Sequence, residues 1–315
     1  MKLFITLALA ASLAVPSLSA FNFKVKSIER VPLKGASEAF HPVFTPDGKS
    51  LVVTSEAYDG LGIVSLQDGQ YRRLSNREGA GYKFAQNADG SQILLRENDF
   101  ITQKLSLYVV DVATATEECV APVVEHTNTL KYDAGVIVYA EPVQQKITTH
   151  VNPREVRPMS VSTAAAQPLL TEEDLKLVLY SNGTRTLIDP ILEAEGRDVN
   201  YCWSSLSPDG SRMLFVAGND AYTSRLDGSD LIRIGAIHAP VWKDNNTVVA
   251  MLDSDDGHFF TKSDIVVAYV RTGETMQLTP VTDDIKMFPS VSPDGSRIAF
   301  HTTKGELYII NLETK

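Results

Sequence analysis

The sequence predicts an all-β fold, a six-bladed β-propeller, and the main observation behind this prediction is a repeated Asp-Gly turn. The segments Ser207–Phe215 and Ser292–Phe300 both begin Ser-Pro-Asp-Gly-Ser-Arg and continue into an apolar run. Looser copies are centred on Asp47 and Asp89, which are 42 residues apart. A strand–turn–strand unit that recurs about every 40 residues is typical of propeller blades.

Each Asp-Gly turn lies between two predicted strands. Both residue types tolerate a positive φ, which a tight hairpin requires. The strand after the first turn, Leu51–Val53, is apolar without alternation. This pattern is expected where neighbouring blades cover both faces of a strand.

Two degenerate turns, at Tyr132–Gly135 and Lys243–Asn246, bring the number of repeats to six. The last repeat has no fourth strand after Glu306–Asn311, whereas the chain has an unassigned strand near its start, Lys24–Val31. A strand from the N-terminus that completes the last blade would remove two exposed sheet edges. We therefore expect the sixth blade to be closed by the N-terminal strand.

The longest gap between turns, 76 residues from Asp133 to Asp209, predicts an insertion in blade three at about residues 141–175. The next predicted strand, Lys176–Tyr180, follows this segment. The alternative is a seventh, degenerate blade in the same region, which would have neither an Asp-Gly turn nor a strand pair of its own.

Residues 1–20 are predicted to be a secretory signal peptide. Lys2 precedes an apolar run, Leu3–Val15, and small residues follow as far as Ala20, as in cleavable signals. Pro16 interrupts the run before it reaches the ~20 apolar residues of a membrane span, and no later segment is apolar enough to span a bilayer. We expect cleavage near residue 20, a single propeller domain at residues 21–315, and a periplasmic or secreted location.

The formal net charge of −10 argues against binding to nucleic acid or to anionic membranes, because both are themselves negatively charged. Two cysteines, Cys119 and Cys202, lie in non-equivalent positions of different repeats. We therefore predict two buried free thiols, with a disulfide between them as the alternative. We expect the protein to be a monomer.

The segments Phe40–Lys49 and Met287–Gly295 place a His-Pro or Phe-Pro pair shortly before the Pro-Asp-Gly turn. In this they resemble the WD40-like repeat, also called the PD40 repeat, of the TolB-like propeller family. The resemblance covers most of residues 37–315 and implies a six-bladed propeller. It implies little about activity, because a fold does not determine a function.

Three histidines, His41, His126 and His238, each stand six or seven residues before the turn aspartate of a blade. In a propeller the first strand of each blade lines a central channel, and the blades of these histidines alternate in a six-bladed ring. The three imidazoles could therefore meet at the mouth of this channel and bind a divalent metal. The resemblance sharpens this idea, because some propeller lyases of acidic sugars bind a metal through a histidine cluster. The alternative is that each histidine forms a hydrogen bond within its own blade.

Two further groups of charged residues are candidates for ligand binding. Asp253, Asp255 and Asp256 lie in a predicted loop of blade five, where the alternative is a solvated acidic turn. Arg154 and Arg157 lie in the predicted insertion and would suit a carboxylate-bearing partner. The loops between blades and those between the second and third strands of a blade share one face of a propeller, the loop face, and the Asp-Gly turns lie on the other. Because long loops in compact domains are often functional, we expect the insertion to form part of the rim on the loop face.

We find no nucleophile–base motif, phosphate loop, H-E-x-x-H or G-x-S-x-G segment. The sequence therefore predicts an exported, non-enzymatic propeller that binds a protein or glycan partner on its loop face and needs no cofactor. The alternative is a metal-dependent saccharide lyase or hydrolase whose site lies at the channel mouth.

Overall fold

The computed structural model describes residues 21–125, 127–133, 135–151 and 168–315. Its strands form seven antiparallel sheets, which are the blades of a β-propeller. The predicted fold class is confirmed, and the predicted number of six blades is wrong. Among these residues, no helix is both long and apolar enough to cross a membrane.

The strands are numbered in chain order, and the N-terminal strand is β1 (Phe23–Arg30). Blade one contains β2 (Phe40–Phe44), β3 (Ser50–Thr54), β4 (Leu61–Ser65) and β5 (Tyr71–Ser75). Blade two contains β6 (Ala85–Gln86), β7 (Gln92–Asp99), β8 (Lys104–Asp111) and β9 (Glu117–Val124). Blade three contains β10 (Leu130–Asp133), β11 (Val136–Glu141) and β12 (Lys146–Val151).

Blade four contains β13 (Leu169–Glu173), β14 (Lys176–Ser181) and β15 (Thr184–Ile188), and the short helix α1 (Pro190–Glu195) follows it. Blade five contains β16 (Tyr201–Leu206), β17 (Arg212–Ala217), β18 (Asp220–Arg225) and β19 (Ile232–Gly235). Blade six contains β20 (His238–Trp242), β21 (Thr247–Asp255), β22 (Phe260–Tyr269) and β23 (Thr275–Gln277). Blade seven contains β24 (Lys286–Val291), β25 (Arg297–Thr302) and β26 (Leu307–Thr314), together with β1.

The ring is closed by both ends of the chain, as the sequence predicts. Strand β1 pairs antiparallel with β26, from Phe23 opposite Thr314 to Arg30 opposite Tyr308. The side chains of Phe21 and Phe23 are buried in the apolar cluster that blades six and seven share. The N-terminal strand therefore supplies an outer edge and part of the core.

The Asp-Gly turns connect the first and second strands of several blades and have a common geometry. In blade five, Asp209 accepts hydrogen bonds from the Ser207 hydroxyl at 2.6 Å and from the Ser211 amide at 3.0 Å. Gly210 has a φ of 69°, a conformation that glycine adopts without steric cost. The Ser-Pro-Asp-Gly-Ser pattern thus supplies the hydrogen-bonding side chains and the glycine that this turn requires.

The second strands are buried on both faces, which explains their apolar runs. Leu51 and Val53 pack into one cluster with residues of blade seven, and Val52 packs into another with residues of blade two. Burial of such a side chain contributes about 1.5–3 kcal/mol. Contacts of this kind hold neighbouring blades together.

Blade four is the blade beyond the six that the sequence predicts, and it lies in the long gap between the Asp-Gly turns. Its innermost strand, β13, runs in the opposite direction to the innermost strands of the other blades. Asn128 donates a hydrogen bond to the Glu172 carbonyl, and Lys131 donates one to the Pro168 carbonyl. Strand β13 is therefore antiparallel to β10, although both are innermost strands. The turn between β13 and β14 is formed by Asp174 and Leu175, so these two strands are not joined by an Asp-Gly turn.

The predicted insertion, residues 141–175, contributes strands β12 and β13 to two different blades. Val151, at the end of β12, is paired with Val136 beside the turn of blade three. Pro168 accepts its hydrogen bond from Lys131, which is near the same turn. Both flanks of residues 152–167 thus lie on the face of the Asp-Gly turns, opposite the loop face.

Candidate functional site

A cavity of about 410 Å³ opens at the loop-face end of the central channel. All seven blades contribute to its wall, mostly through residues at the start of their innermost strands. The wall includes His41, Tyr58, Tyr82, Lys83, Asn128, Glu172, Cys202, Trp203, Ala239 and Phe288.

The innermost strands contribute these side chains through a repeated β-bulge. The register of the first strand pair shifts in blades one, five, six and seven. At the shift, His41, Trp203 and Phe288 have φ values of 49°, 51° and 48°. Residues other than glycine adopt this left-handed conformation at a cost, and such strained positions cluster at functional sites. The bulge directs one side chain from each of these blades toward the channel mouth.

An aromatic cluster forms one side of the cavity. The His41 ring stacks on Tyr58 with centroids 3.9 Å apart, and it contacts Phe288 at 4.6 Å and His301 at 4.9 Å. Tyr58 in turn meets Tyr82 edge to face at 5.4 Å. The cluster therefore runs continuously from blade seven through blade one to blade two.

Burial keeps the histidines of this cluster neutral near pH 7. It lowers the pKa of His41 to about 4, although a hydrogen bond with the Glu56 carbonyl opposes the shift. It lowers the pKa of His301 to about 3. Burial also raises the pKa of Tyr58 to about 12. This side of the cavity therefore carries no charge.

An ion pair lies on the other side of the cavity and links blades two, four and five. The Lys83 ammonium is 2.9 Å from the Glu172 carboxylate. Glu172 also accepts a hydrogen bond from the Ser204 amide at 2.8 Å, and its own carbonyl accepts one from Asn128 at 2.8 Å. The Glu172 side chain is 6% exposed and that of Lys83 is 31% exposed. The cation is thus the more accessible half of the pair.

Both cysteines are free and exposed. The predicted free thiols are confirmed and their predicted burial is wrong. Cys202 borders the cavity, where protein surrounds its sulfur on several sides. This desolvation and the nearby Glu172 carboxylate raise the pKa of Cys202 to about 11, so the thiol is protonated at neutral pH.

His238 does not occupy the position of His41 in its blade. His238 and Phe40 are the last paired residues before their bulges, and Ala239, with a φ of 45°, takes the place of His41. The sequence comparison is displaced by one residue because the turn of blade six is shorter: five residues, 243–247, connect Trp242 to Val248, whereas six residues, 45–50, connect Phe44 to Leu51.

The His238 side chain is instead paired with a predicted ligand-binding residue. Its Nδ1 atom lies 2.9 Å and 3.0 Å from the two carboxylate oxygens of Asp253. The hydrogen bond to Asp253 raises the pKa of His238. The imidazole is 5.9 Å from the Trp203 ring, so this pair lies beside the cavity.

The remaining predicted site residues lie elsewhere. Asp255 and Asp256 accept hydrogen bonds from backbone N–H groups of their own turn. His126, Arg154 and Arg157 lie outside the residues that the structure describes. Within the described ranges, no group of three or more His, Cys, Asp or Glu side chains is placed to hold a metal ion.

Three cavity residues, Lys83, Trp203 and Phe288, were missed by the sequence reasoning. Like His41, each stands six residues before the turn aspartate of its blade. Lys83 has a φ of 46° and precedes the short strand β6. The position six residues before the turn aspartate therefore indicates a cavity residue, whatever the residue type.

Comparison with known proteins yields a fold and no family. No family model and no curated protein matches the chain. A chain of the mitotic checkpoint complex superposes with a TM-score of 0.58 at 10% identity, covering 96% of this chain and 99% of that chain. An oligogalacturonate lyase from Vibrio parahaemolyticus gives a TM-score of 0.44 at 13% identity, covering 88% and 79%.

At such identities the similarity to the mitotic checkpoint chain establishes the propeller fold alone. The weaker similarity to the lyase supports no conclusion about this chain. The resemblance to the TolB-like repeat remains a prediction. Function must therefore be argued from the cavity.

Proposed function

We propose that the protein is a non-catalytic, glycan-binding propeller whose loop-face cavity holds a saccharide unit. The observation that carries this proposal is the aromatic lining, to which Tyr58, Tyr82, Trp203 and Phe288 contribute. Tyrosine and tryptophan offer a flat apolar surface with a polar edge, which suits the face and hydroxyls of a sugar ring. A cavity of about 410 Å³ is also of the size that small ligands occupy.

The protonation states of the lining support binding over catalysis. General acid–base catalysis is most effective when the catalytic pKa is near the working pH. His41 has a pKa of about 4, and Cys202 has one of about 11. At neutral pH the His41 imidazole is therefore a weak base, and the Cys202 thiol is too little ionised to be an effective nucleophile.

The second candidate function is a saccharide lyase or hydrolase, and the His238–Asp253 pair favours it. A carboxylate on Nδ1 fixes the orientation of an imidazole and leaves Nε2 for a substrate proton. In the metal-dependent form of this candidate, His41, His126 and His238 would bind the metal. His238 would bind it through Nε2, because Asp253 holds Nδ1.

We further infer that residues 1–20 are removed on export to the periplasm or beyond. The side chain of Phe21 is 3% exposed, and the Asn22 carbonyl accepts a hydrogen bond from the Lys315 amide. Cleavage after Ala20 would leave Phe21, which the fold buries, as the new N-terminus. The intact mass of protein from a periplasmic extract tests this, and retention of residues 1–20 contradicts it.

Trp203 provides a direct test of glycan binding. Its side chain borders the cavity, whereas Trp242, the second of the two tryptophans, does not line it. In a Trp242→Phe protein, Trp203 is the single fluorescent reporter. We expect a panel of neutral and acidic oligosaccharides to include members that change its emission saturably.

In the same assay, Trp203→Ala in the parent protein should weaken binding at least about tenfold, as for an aromatic hot spot. Calorimetry measures this affinity without a fluorescent reporter. If no saccharide of the panel binds by either method, the proposal is wrong. If saccharides are cleaved and His238→Ala abolishes cleavage, the protein is an enzyme.

A further inference from the structure

A buried guanidinium without a carboxylate partner lies behind the cavity wall. Arg96 is 0% exposed, and the described part of the chain offers it only neutral groups. Its terminal nitrogens donate to the Thr127 carbonyl and, at 3.4 Å and 3.5 Å, to those of Asn128 and Lys83. Its Nε has no hydrogen-bond partner. The guanidinium carbon is 5.3 Å from the centroid of the Tyr82 ring.

Three of these neighbours, Tyr82, Lys83 and Asn128, themselves line the cavity. One layer of residues therefore separates the guanidinium from the space that a ligand would occupy. A charge in such a poorly solvated place acts on its surroundings with little screening.

Lys83, Glu172 and Arg96 together carry a net positive charge, although the protein is acidic. The cavity lining carries one cation, Lys83, and one anion, Glu172, which neutralise each other. Arg96 adds a positive charge that is paired with no carboxylate of the described residues, while the whole chain has a net charge of −10. Burial of an unpaired charge is costly, and an anionic ligand would reduce that cost.

Polar groups that could complete an anion site are also present. The hydroxyls of Ser204 and Ser205 are buried and have no hydrogen-bond partner in the part of the chain that the structure describes, and both residues line the cavity. Each hydroxyl can donate one hydrogen bond. They stand on the blade-five side of Glu172, since the Ser204 amide donates to that carboxylate.

We propose that the cavity selects acidic saccharides, with the carboxylate of a uronic acid unit bound by Lys83. In this arrangement the ligand shares the Lys83 ammonium with Glu172, and Arg96 favours the anion through its field. The selectivity rests on the proposed glycan binding and adds the chemical class of the ligand.

The test compares a glucuronate-containing oligosaccharide with the same oligosaccharide in which each carboxylate is reduced to an alcohol. Calorimetric titration at low salt should show the acidic form binding at least about tenfold more tightly, the size of one charge-assisted hydrogen bond. The difference should shrink as salt rises, because salt screens partly exposed charges.

Two variants of the ion pair should change this preference in opposite directions. Lys83→Gln should abolish it by removing the accessible cation. Glu172→Gln should increase it severalfold, because Lys83 loses its competing anion. A gain of affinity cannot result from misfolding, so this variant keeps the test decisive.

Lys304→Gln is the matched control, because Lys304 pairs with Asp284 at 2.8 Å and does not line the cavity. It should leave both affinities unchanged. Equal binding of the two oligosaccharides, with no gain in Glu172→Gln, overturns the selectivity and leaves glycan binding intact. Binding of neither form overturns both proposals.

Discussion

The imidazole of His41 stacks on the phenol ring of Tyr58, with centroids 3.9 Å apart and ring planes 21° apart. His41 stands at the bulge of the first blade, and Tyr58 stands in the loop between the second and third strands of the same blade. The two rings join an inner strand to a loop at the cavity wall. Their protonation therefore affects both stability and the site.

Stability should fall in acid because His41 is held neutral in the folded protein. Its pKa is lowered from 6.5 to about 4, so the unfolded chain binds a proton at this position more readily than the folded chain. The stability contributed by the neutral imidazole is present above pH 6.5 and is lost as the pH falls from 6.5 toward 4.

The variant His41→Phe keeps a ring at this position, as Phe288 does in blade seven, and removes the titration. Urea unfolding between pH 8 and pH 4 should show a steeper loss of stability for the parent than for this variant. Parallel stability curves would show that His41 is not held neutral by the fold.

The N-terminal strand should be essential to the ring. Phe23→Ala should lower the free energy of unfolding by about 3–5 kcal/mol, the cost of removing a buried phenylalanine. The ring contacts Phe21 at 5.8 Å and the Lys243 ammonium at 4.5 Å. Lys24→Ala, which removes an exposed pair with Glu313, should cost at most about 1 kcal/mol. Equal and small losses for the two variants, measured by denaturant unfolding, would contradict closure by this strand.

The Asp-Gly turns should be more sensitive to substitution than the degenerate turn of blade six. Gly210→Val should cost about 1–3 kcal/mol, because a β-branched residue is strained at a φ of 69°. An added Cβ would meet no atom within 4 Å, so the strain is conformational. Asn246, in the shorter turn of blade six, has a negative φ, and Asn246→Val should cost less. Similar midpoints of thermal unfolding for the two variants would mean that both turns have the same requirement.

Local chemistry allowed the sequence to predict the propeller and its closure. The Asp-Gly turn requires particular residues within a few positions, so its repetition is visible along the chain. Strand Lys24–Val31 was predicted one residue away from β1 (Phe23–Arg30) at each end, because an unpaired strand and an incomplete blade were both apparent. The placement of His41 at the channel mouth followed from the same repeat.

The blade count could not be predicted in this way. Blade four starts with β13, which is joined to β14 by Asp174 and Leu175 and not by an Asp-Gly turn. Only its pairing and its contacts with β10 reveal that it is a blade. The one-residue displacement of His238 was also hidden in the sequence, since the turn of blade six is one residue shorter than that of blade one.

The sequence by itself determined the class of fold, the turns and the ends of the ring, because these depend on short segments and on apolar runs. Only the tertiary structure decided that Lys83, Trp203 and Phe288 share one cavity with His41, and that Arg96 is buried behind it with no carboxylate partner in the described ranges. Those relations join residues of different blades, and no pattern along the chain encodes the distance between side chains that meet across a channel.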